Sequence, residues 1–347
     1  MAASSSPSDV LGRALAEARW PLPRLFKMSG AWHLGAGATV IAAPAQWEWA
    51  LGAVVLNHAL IGATGLWPRS TWLGANLRRL PEDSAARGEV GLTIDDGPDL
   101  AVTPAVLDLL DAAGARATFF CIAARAERHP DLCREIVRRG HSVQNHSHRH
   151  SHTFSLLGRA ALRREIEAAQ RIFADVTGEV PRFFRAPAGL RNPFLAPVLH
   201  HLGLRLVSWT RRGFDTQRSA PAGVLARLTH NLRAGDILLL HDGNAACAPS
   251  GRPVVLEVLP ALLERFERET LRAVTLSEAL HSTVLPRTSE TSGVIGAHEV
   301  MVAPEGVDAS EVGDGSEVAN ASDASAANLP ADAPPHAPCS TGNRVRA

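Results

Sequence analysis

Short apolar runs alternate with longer amphipathic stretches from about residue 88 to 283, and no other feature limits the fold so tightly. Runs at 90–94, 117–122, 142–145, 182–186, 204–209, 237–240 and 273–276 have the length and apolar character of buried strands. Helical periodicity falls between them, for example at 103–113, 126–139, 158–175, 221–233 and 254–268. Thr103-Pro104 is a helix start with proline at the first helical position, and Gly114, Gly140 and Gly203 stand where helices should stop. Strand–helix alternation over about 195 residues predicts an α/β fold with a parallel sheet, and seven such units are compatible with a barrel.

The flanks differ in kind. The chain has 347 residues with 35 acids against 35 Lys+Arg. That balance gives no bulk attraction to nucleic acid, and 46% hydrophobic content excludes wholesale disorder. The zero net charge hides segregation: residues 284–347 hold nine acids and three arginines, a net of −6, so residues 1–283 carry +6. That acidic stretch, rich in Ala, Ser, Gly and Pro, has no periodicity, which predicts a disordered tail. Cys121, Cys133, Cys247 and Cys339 form no C-x-x-C pair, against a zinc ribbon or a dense disulfide framework.

Residues 28–68 carry a single charge, Glu48. Two apolar stretches, 28–45 and 49–67, approach the roughly 17–25 residues of a membrane helix. Pro44, Gln46 and Glu48 separate them. Trp47 and Trp49 lie at that turn and Trp32, Trp67 and Trp72 towards the other side, like aromatic belts. Arg19, Arg24 and Lys27 precede the pair, and Arg69, Arg78 and Arg79 follow it, so the positive-inside rule puts both flanks in the cytoplasm. The expected order is an N-terminal segment (1–27), a transmembrane hairpin (28–68), a linker (69–87), the α/β domain (88–283) and the tail (284–347). His33, Gly35, Gly37, Asn57 and His58 keep open a single span, surface-lying helices, or a leader ending at Ala43-Pro44-Ala45.

Four polar motifs end predicted strands, where an α/β barrel builds its site. Asp95-Asp96-Gly97-Pro98 places two carboxylates together, costly unless a cation or proton relieves them, although such a sequence also makes an ordinary turn. His146-Ser147-His148-Arg149-His150 spaces two histidines by four, so one helical turn would set both imidazoles on one face for a metal; a solvated polar loop is the alternative. Arg185-Ala186-Pro187-Ala188-Gly189 offers a guanidinium able to orient a carboxylate. Leu239-Leu240-His241 holds a histidine at the end of a buried run, as a general acid or a structural residue.

Together, and in this order, these motifs resemble the polysaccharide deacetylase family, also called the NodB-homology or carbohydrate esterase family 4 domain, over residues 88–283. The resemblance implies a distorted (β/α)7 barrel in which Asp96, His146 and His150 ligate one divalent metal, typically zinc. It implies Asp95 as general base held by Arg185, His241 as general acid, and Leu239 lining a small acyl pocket. Pro187, Gly189, Trp209 and Arg212 complete the substrate-contacting set. Two positions depart from the family pattern. Ala188 stands where an aromatic usually follows the proline, which removes a sugar-stacking wall. Two aspartates are usual in the stretch after Trp209, one of them tuning the catalytic histidine; Asp215 matches the second, but Arg212 replaces the first, and a cation there suits a phosphate or other anion.

The expected activity is hydrolysis of an N-acyl group, acetyl or similar, from an amino sugar in a polysaccharide or lipid-linked glycan, at a bacterial inner membrane. The hairpin puts the catalytic domain in the cytoplasm; a single span would put it in the periplasm. The rival reading is a non-catalytic carbohydrate- or lipid-binding membrane protein that retains the metal site.

Overall fold

A computed structural model of the chain describes residues 20–281. The expected acidic tail and most of the N-terminal segment lie outside the described residues. Helices α1 (Arg24–Ala42) and α2 (Trp47–Leu66) are joined by a 3-10 turn at Pro44–Gln46, so the apolar region folds as a helical hairpin. Three side-chain contacts tie its arms: Trp32 Nε1 donates to Ala53 O (2.9 Å), Asn57 Nδ2 donates to Ser29 Oγ (2.8 Å), and the His33 and His58 rings meet edge to face. Its large apolar side chains face outward, including Leu34, Ile41, Trp49 and Val55. By length and composition, among the described residues only one segment, Pro44–Leu66, could cross a membrane. The first arm, expected as an equal span, falls short because Arg24, Lys27 and His33 dilute it.

After the hairpin come α3 (Glu82–Ala86), β1 (Glu89–Asp95), α4 (Thr103–Ala112), β2 (Thr118–Cys121), α5 (Ala123–Arg128), α6 (Pro130–Arg138) and β3 (Ser142–Asn145). They are followed by α7 (Arg159–Thr177), β4 (Phe183–Phe184), α8 (Leu195–His201), β5 (Arg205–Leu206), β6 (Arg211–Arg212) and α9 (Pro221–Thr229). The series ends with β7 (Ile237–His241), α10 (Val254–Arg268), β8 (Arg272–Val274) and α11 (Leu276–His281). All strand pairings are parallel, in the order β5-β4-β3-β2-β1-β7-β6, with β8 against the first half of β1. The result is a curled half-barrel of the α/β type that the alternation predicts.

All seven expected strands form, and the two-residue β6 adds an eighth. The helix expected at 126–139 is instead two, α5 and α6, because proline at 130 disfavours helical geometry at His129. The segment expected as a linker is part of the barrel. Leu77 pairs with Val207 and Arg79 with Asp236, so residues 77–80 bridge the β5 edge to the start of β7.

Alternation along β1 and β7 separates packing from chemistry. Val90, Leu92 and Ile94 join Leu238 and Leu240 in the main core, with Val106, Leu107 and Leu110 of α4 and Leu259 and Leu262 of α10. The intervening Thr93, Asp95, Leu239 and His241 face the other way, and the register pairs Asp95 with His241.

The hairpin is docked at the rim where these strands end. Arg191 N donates to Gly65 O, and a Cβ added at Gly65 would lie 2.2 Å from Arg191 O. Backbone cannot yield as a side chain can, so Gly65→Ala is expected to loosen this joint at a cost of about 1–3 kcal/mol. Faster proteolysis between residues 66 and 76, with the barrel intact, is the expected readout; an unchanged digestion pattern contradicts the docking.

Candidate active site

The four motifs converge at the C-terminal ends of β1, β3, β4 and β7. Arg185 is fully buried. Its guanidinium donates to Asp95 Oδ1 (2.5 Å), Thr93 Oγ1 (2.8 Å) and Ser208 O (3.1 Å), and its carbon lies 4.1 Å above the Phe120 ring. Burial disfavours the charged guanidinium and lowers its pKa, while Asp95 opposes that shift. Asp95 is thereby held in one rotamer beside the metal-type cluster.

That cluster is Asp96, His146 and His150, whose ligand atoms all lie within 4.8 Å of one another. Asp96 Oδ1 is 3.2 Å from Nε2 of each histidine. The same oxygen is buried without a hydrogen-bond partner, the condition of an atom arranged for a cation. His146 Nδ1 donates to Arg185 O (2.8 Å), which fixes the tautomer and leaves Nε2 free to ligate. Burial, then His146, lower the pKa of His150 and favour its neutral, ligating form. Burial alone would raise the pKa of Asp96, but the three surrounding histidines hold it well below the usual carboxylate range. The residues therefore fit a divalent metal.

The two histidines reach this point without the expected helical turn. Residues 146–150 form a loop, in which Ser147 (φ 69°) and His150 (φ 52°) take left-handed backbone conformations. Asn145 Oδ1 accepts from Ser147 N (2.8 Å), and Ser147 Oγ accepts from His150 N (3.0 Å), so side chains replace the helical hydrogen bonds.

His241 completes the constellation. Its Nδ1 donates to Asp215 Oδ1 (2.9 Å), and its backbone N donates to Asp215 Oδ2 (2.7 Å). Burial alone would lower its pKa, yet Asp215 beside it, with Asp95 and Asp96, raises it. Asp215 is thus the partner of His241, and the replacement at Arg212 leaves that pair whole. Leu239 lies two residues before His241 on the same face of β7 and is buried. Pro187 and Gly189 form a short turn at the rim. Gly189 has φ 74°, and a Cβ there would strike Trp209 and Pro68. Arg212 lies over the rings of Trp209 (5.1 Å) and Phe214 (4.8 Å).

Three supporting residues escape sequence reasoning. Asn244 Nδ2 donates to Asp96 Oδ2 (3.0 Å), and Arg125 donates to both Asn244 Oδ1 (3.1 Å) and Asp96 O (2.9 Å). Asp242 accepts from Thr103 Oγ1 (2.6 Å), and burial pushes its carboxyl up to about 7. Its place directly after His241 is the one available signal; Asn244 and Arg125 carry none.

Comparison with known proteins agrees with this geometry. A family model described as polysaccharide deacetylase matches residues 82–207. The chain is 34% identical over 194 residues to a peptidoglycan-N-acetylglucosamine deacetylase of Bacillus cereus, covering 55% of this chain and 87% of that protein. It is 35% identical over 174 residues to a chitooligosaccharide deacetylase of Sinorhizobium fredii, covering 50% and 79%. Among solved structures, a wild-type carbohydrate esterase family 4 pseudoenzyme from Bacillus anthracis shares the fold, with a TM-score of 0.53 and 21% identity over 59% of this chain and 69% of that one. Since the fold also accommodates a pseudoenzyme, activity has to be argued from the side chains. Family membership rests on firmer ground, the match along most of a curated relative: this chain belongs to the polysaccharide deacetylase family.

Proposed function

We propose that the protein is a metal-dependent hydrolase that removes a small N-acyl group from an amino-sugar glycan. One observation carries this reading: a carboxylate and a histidine, paired in register on β1 and β7, flank a preformed Asp-His-His cluster. Asp96, His146 and His150 would hold the ion, zinc by its preference for such donors. When bound, it supplies Lewis-acid polarisation of the amide and lowers the pKa of water.

The chain's own groups do the rest. Asp95 accepts the proton of the attacking water at its free Oδ2, because Oδ1 is occupied by Arg185. His241 carries a proton on Nε2 and delivers it to the departing nitrogen, while Asp215 keeps Nδ1 protonated and the ring in place. Leu239, buried one pleat below on the same face as His241, would wall the acyl end of the substrate. The products are a free amino sugar and a small carboxylic acid.

The hairpin supports a membrane setting and a lipid-linked glycan as substrate. Arg24, Lys27, Arg69, Arg78 and Arg79 flank it, and with both arms entering the membrane together as one hairpin the positive-inside rule favours a cytoplasmic catalytic domain at a bacterial inner membrane. The rival reading, binding without turnover, draws on the replacement at Arg212. The retained base, acid and ligand set favour catalysis over it.

Asp95→Asn is expected to lower kcat for an N-acetylated oligosaccharide or lipid-linked sugar by about 10²–10⁴-fold with little change in KM. Product assay with added zinc separates the readings, because a binding protein shows no turnover in the wild type. For Asp215→Asn the pH profile is decisive. That change removes the carboxylate that raises the His241 pKa, so His241 loses its proton at lower pH and the alkaline limb of kcat/KM moves down. An unmoved limb removes His241 from the acid role. Membrane placement is checked separately: a reporter fused to the C-terminus of the full chain is expected in the cytoplasm. A signal from the outer side instead favours a peptidoglycan or exopolysaccharide substrate.

A further inference from the structure

A concavity rich in arginine shares Trp209 with the surroundings of the site. It has a volume of about 900 Å³ and lies where α2 gives way to the barrel. Arg69, Arg212, Arg218 and Arg227 line it together with Trp67 and Phe214, and no acid does. Among the described residues none of these four arginines has a carboxylate within ion-pair distance. Arg211, in contrast, is committed to Asp236 (2.9 Å), so its charge is already spent. Four unneutralised guanidiniums around one cavity repel each other, and an anion relieves that repulsion.

Arg212 is the best-prepared of the four. Its guanidinium is clamped over the rings of Trp209 and Phe214, which restricts its motion without using its donors. Its Nε is buried and lacks a hydrogen-bond partner. Arg227 approaches the same Phe214 ring at 5.7 Å, so two cations flank one aromatic wall. The wall is shared with the catalytic centre: Arg185, which holds Asp95, lies 5.9 Å from the Trp209 ring. Trp67, the C-cap residue of α2, lines the same cavity, and its neighbour Leu66 is exposed.

We infer that this cavity is a phosphate-binding subsite, which takes the phosphate or diphosphate linking the amino sugar to its lipid. The inference rests on the deacylase reading and narrows it. A lipid leaving along the exposed face of α2 places its phosphate among Arg69, Arg212, Arg218 and Arg227. The sugar then crosses the turn at Ala188 and Gly189 towards Asp95. A small side chain at 188 keeps that path open, and Gly189 fits between Pro68 and Trp209 where a Cβ has no room.

The test uses the full chain in detergent with zinc and two substrates, polyisoprenyl-phosphate-linked N-acetylglucosamine and neutral chitotetraose. Arg212→Gln and, separately, Arg227→Gln are expected to lower the kcat/KM ratio of the first to the second about tenfold or more, through KM. Arg159→Gln, an exposed arginine at the start of α7, should leave that ratio unchanged. Equal losses on both substrates, or no loss, overturn the subsite. Arg227 is exposed on its helix, so its variant separates ligand contact from a folding defect.

Direct binding of polyisoprenyl phosphate without sugar, measured by calorimetry, does not depend on turnover. Binding that weakens in both variants supports the subsite even if no amino sugar is hydrolysed, in which case the deacylase reading alone fails. Phosphatidylglycerol vesicles and inorganic phosphate are the competing arms. Competition by the vesicles at equal phosphate concentration assigns the arginines to the membrane surface and overturns the substrate assignment. Competition by inorganic phosphate with none by the vesicles supports it.

Discussion

Placing a guanidinium in a barrel interior without solvent costs several kcal/mol, and the catalytic end of this protein is organised around one. Arg185 is offset by the carboxylate of Asp95, the hydroxyl of Thr93, the carbonyl of Ser208 and the face of Phe120. Those partners come from β1, from β2 and from the stretch after β5, so one side chain cross-links strands that the sheet pairs only through neighbours. Its own carbonyl accepts from His146 and sets the tautomer of a metal-type ligand. Loss of either charge leaves the other buried and unpaired, typically at about 3–5 kcal/mol. The Asp95 carboxylate, the orientation of His146 and core stability are therefore coupled through Arg185.

The adjacency of Asp95 and Asp96 has a backbone explanation. In a regular strand consecutive side chains point to opposite faces, and the two acids would part. Asp96 leaves the pleat with φ 74°, a conformation that costs a non-glycine residue of order 1 kcal/mol. Both carboxylates then face His146, whose Nε2 lies 3.8 Å from Asp95 Oδ2 and 3.2 Å from Asp96 Oδ1. His150 is strained in the same sense. Hydrogen bonds donated by Arg125 and Asn244 to Asp96, and the one that Asn145 Oδ1 accepts from Ser147 N, hold these two conformations in place.

Residues that work through strand position were legible in the sequence; those that work through a distant partner were not. Buried parallel strands are continuous apolar runs, so β1, β2 and β7 stand out, and a polar residue directly after such a run is at the rim by construction. That logic reaches Asp95, Asp96, His146, Arg185 and His241. It does not reach Asn244, which meets Asp96 across 148 positions of chain. Nor does it reach residues 77–80, whose pairing beside β5 and at the start of β7 consists of isolated bridges too short to show a period. The histidine spacing was compatible with a helical turn, but Asn145 and Ser147 supply local hydrogen bonds that stabilise a loop instead. Four residues apart describes proximity without specifying the path.

The two departures from the family pattern become one feature once the hairpin is in place. Taken singly, Ala188 is a lost stacking surface and Arg212 a lost acid. In the folded chain Asp215 already serves His241, so no acid is needed at 212. Ala188 belongs to the turn whose next residue, Gly189, is wedged between Trp209 and Pro68, and Pro68 directly follows Trp67, the C-cap of α2. The aromatic usual at 188 is thus absent where the root of the hairpin packs against the rim of the barrel. Arg212 stacks on the same Trp209 ring that Gly189 abuts, so both departures meet at one side chain beside that root.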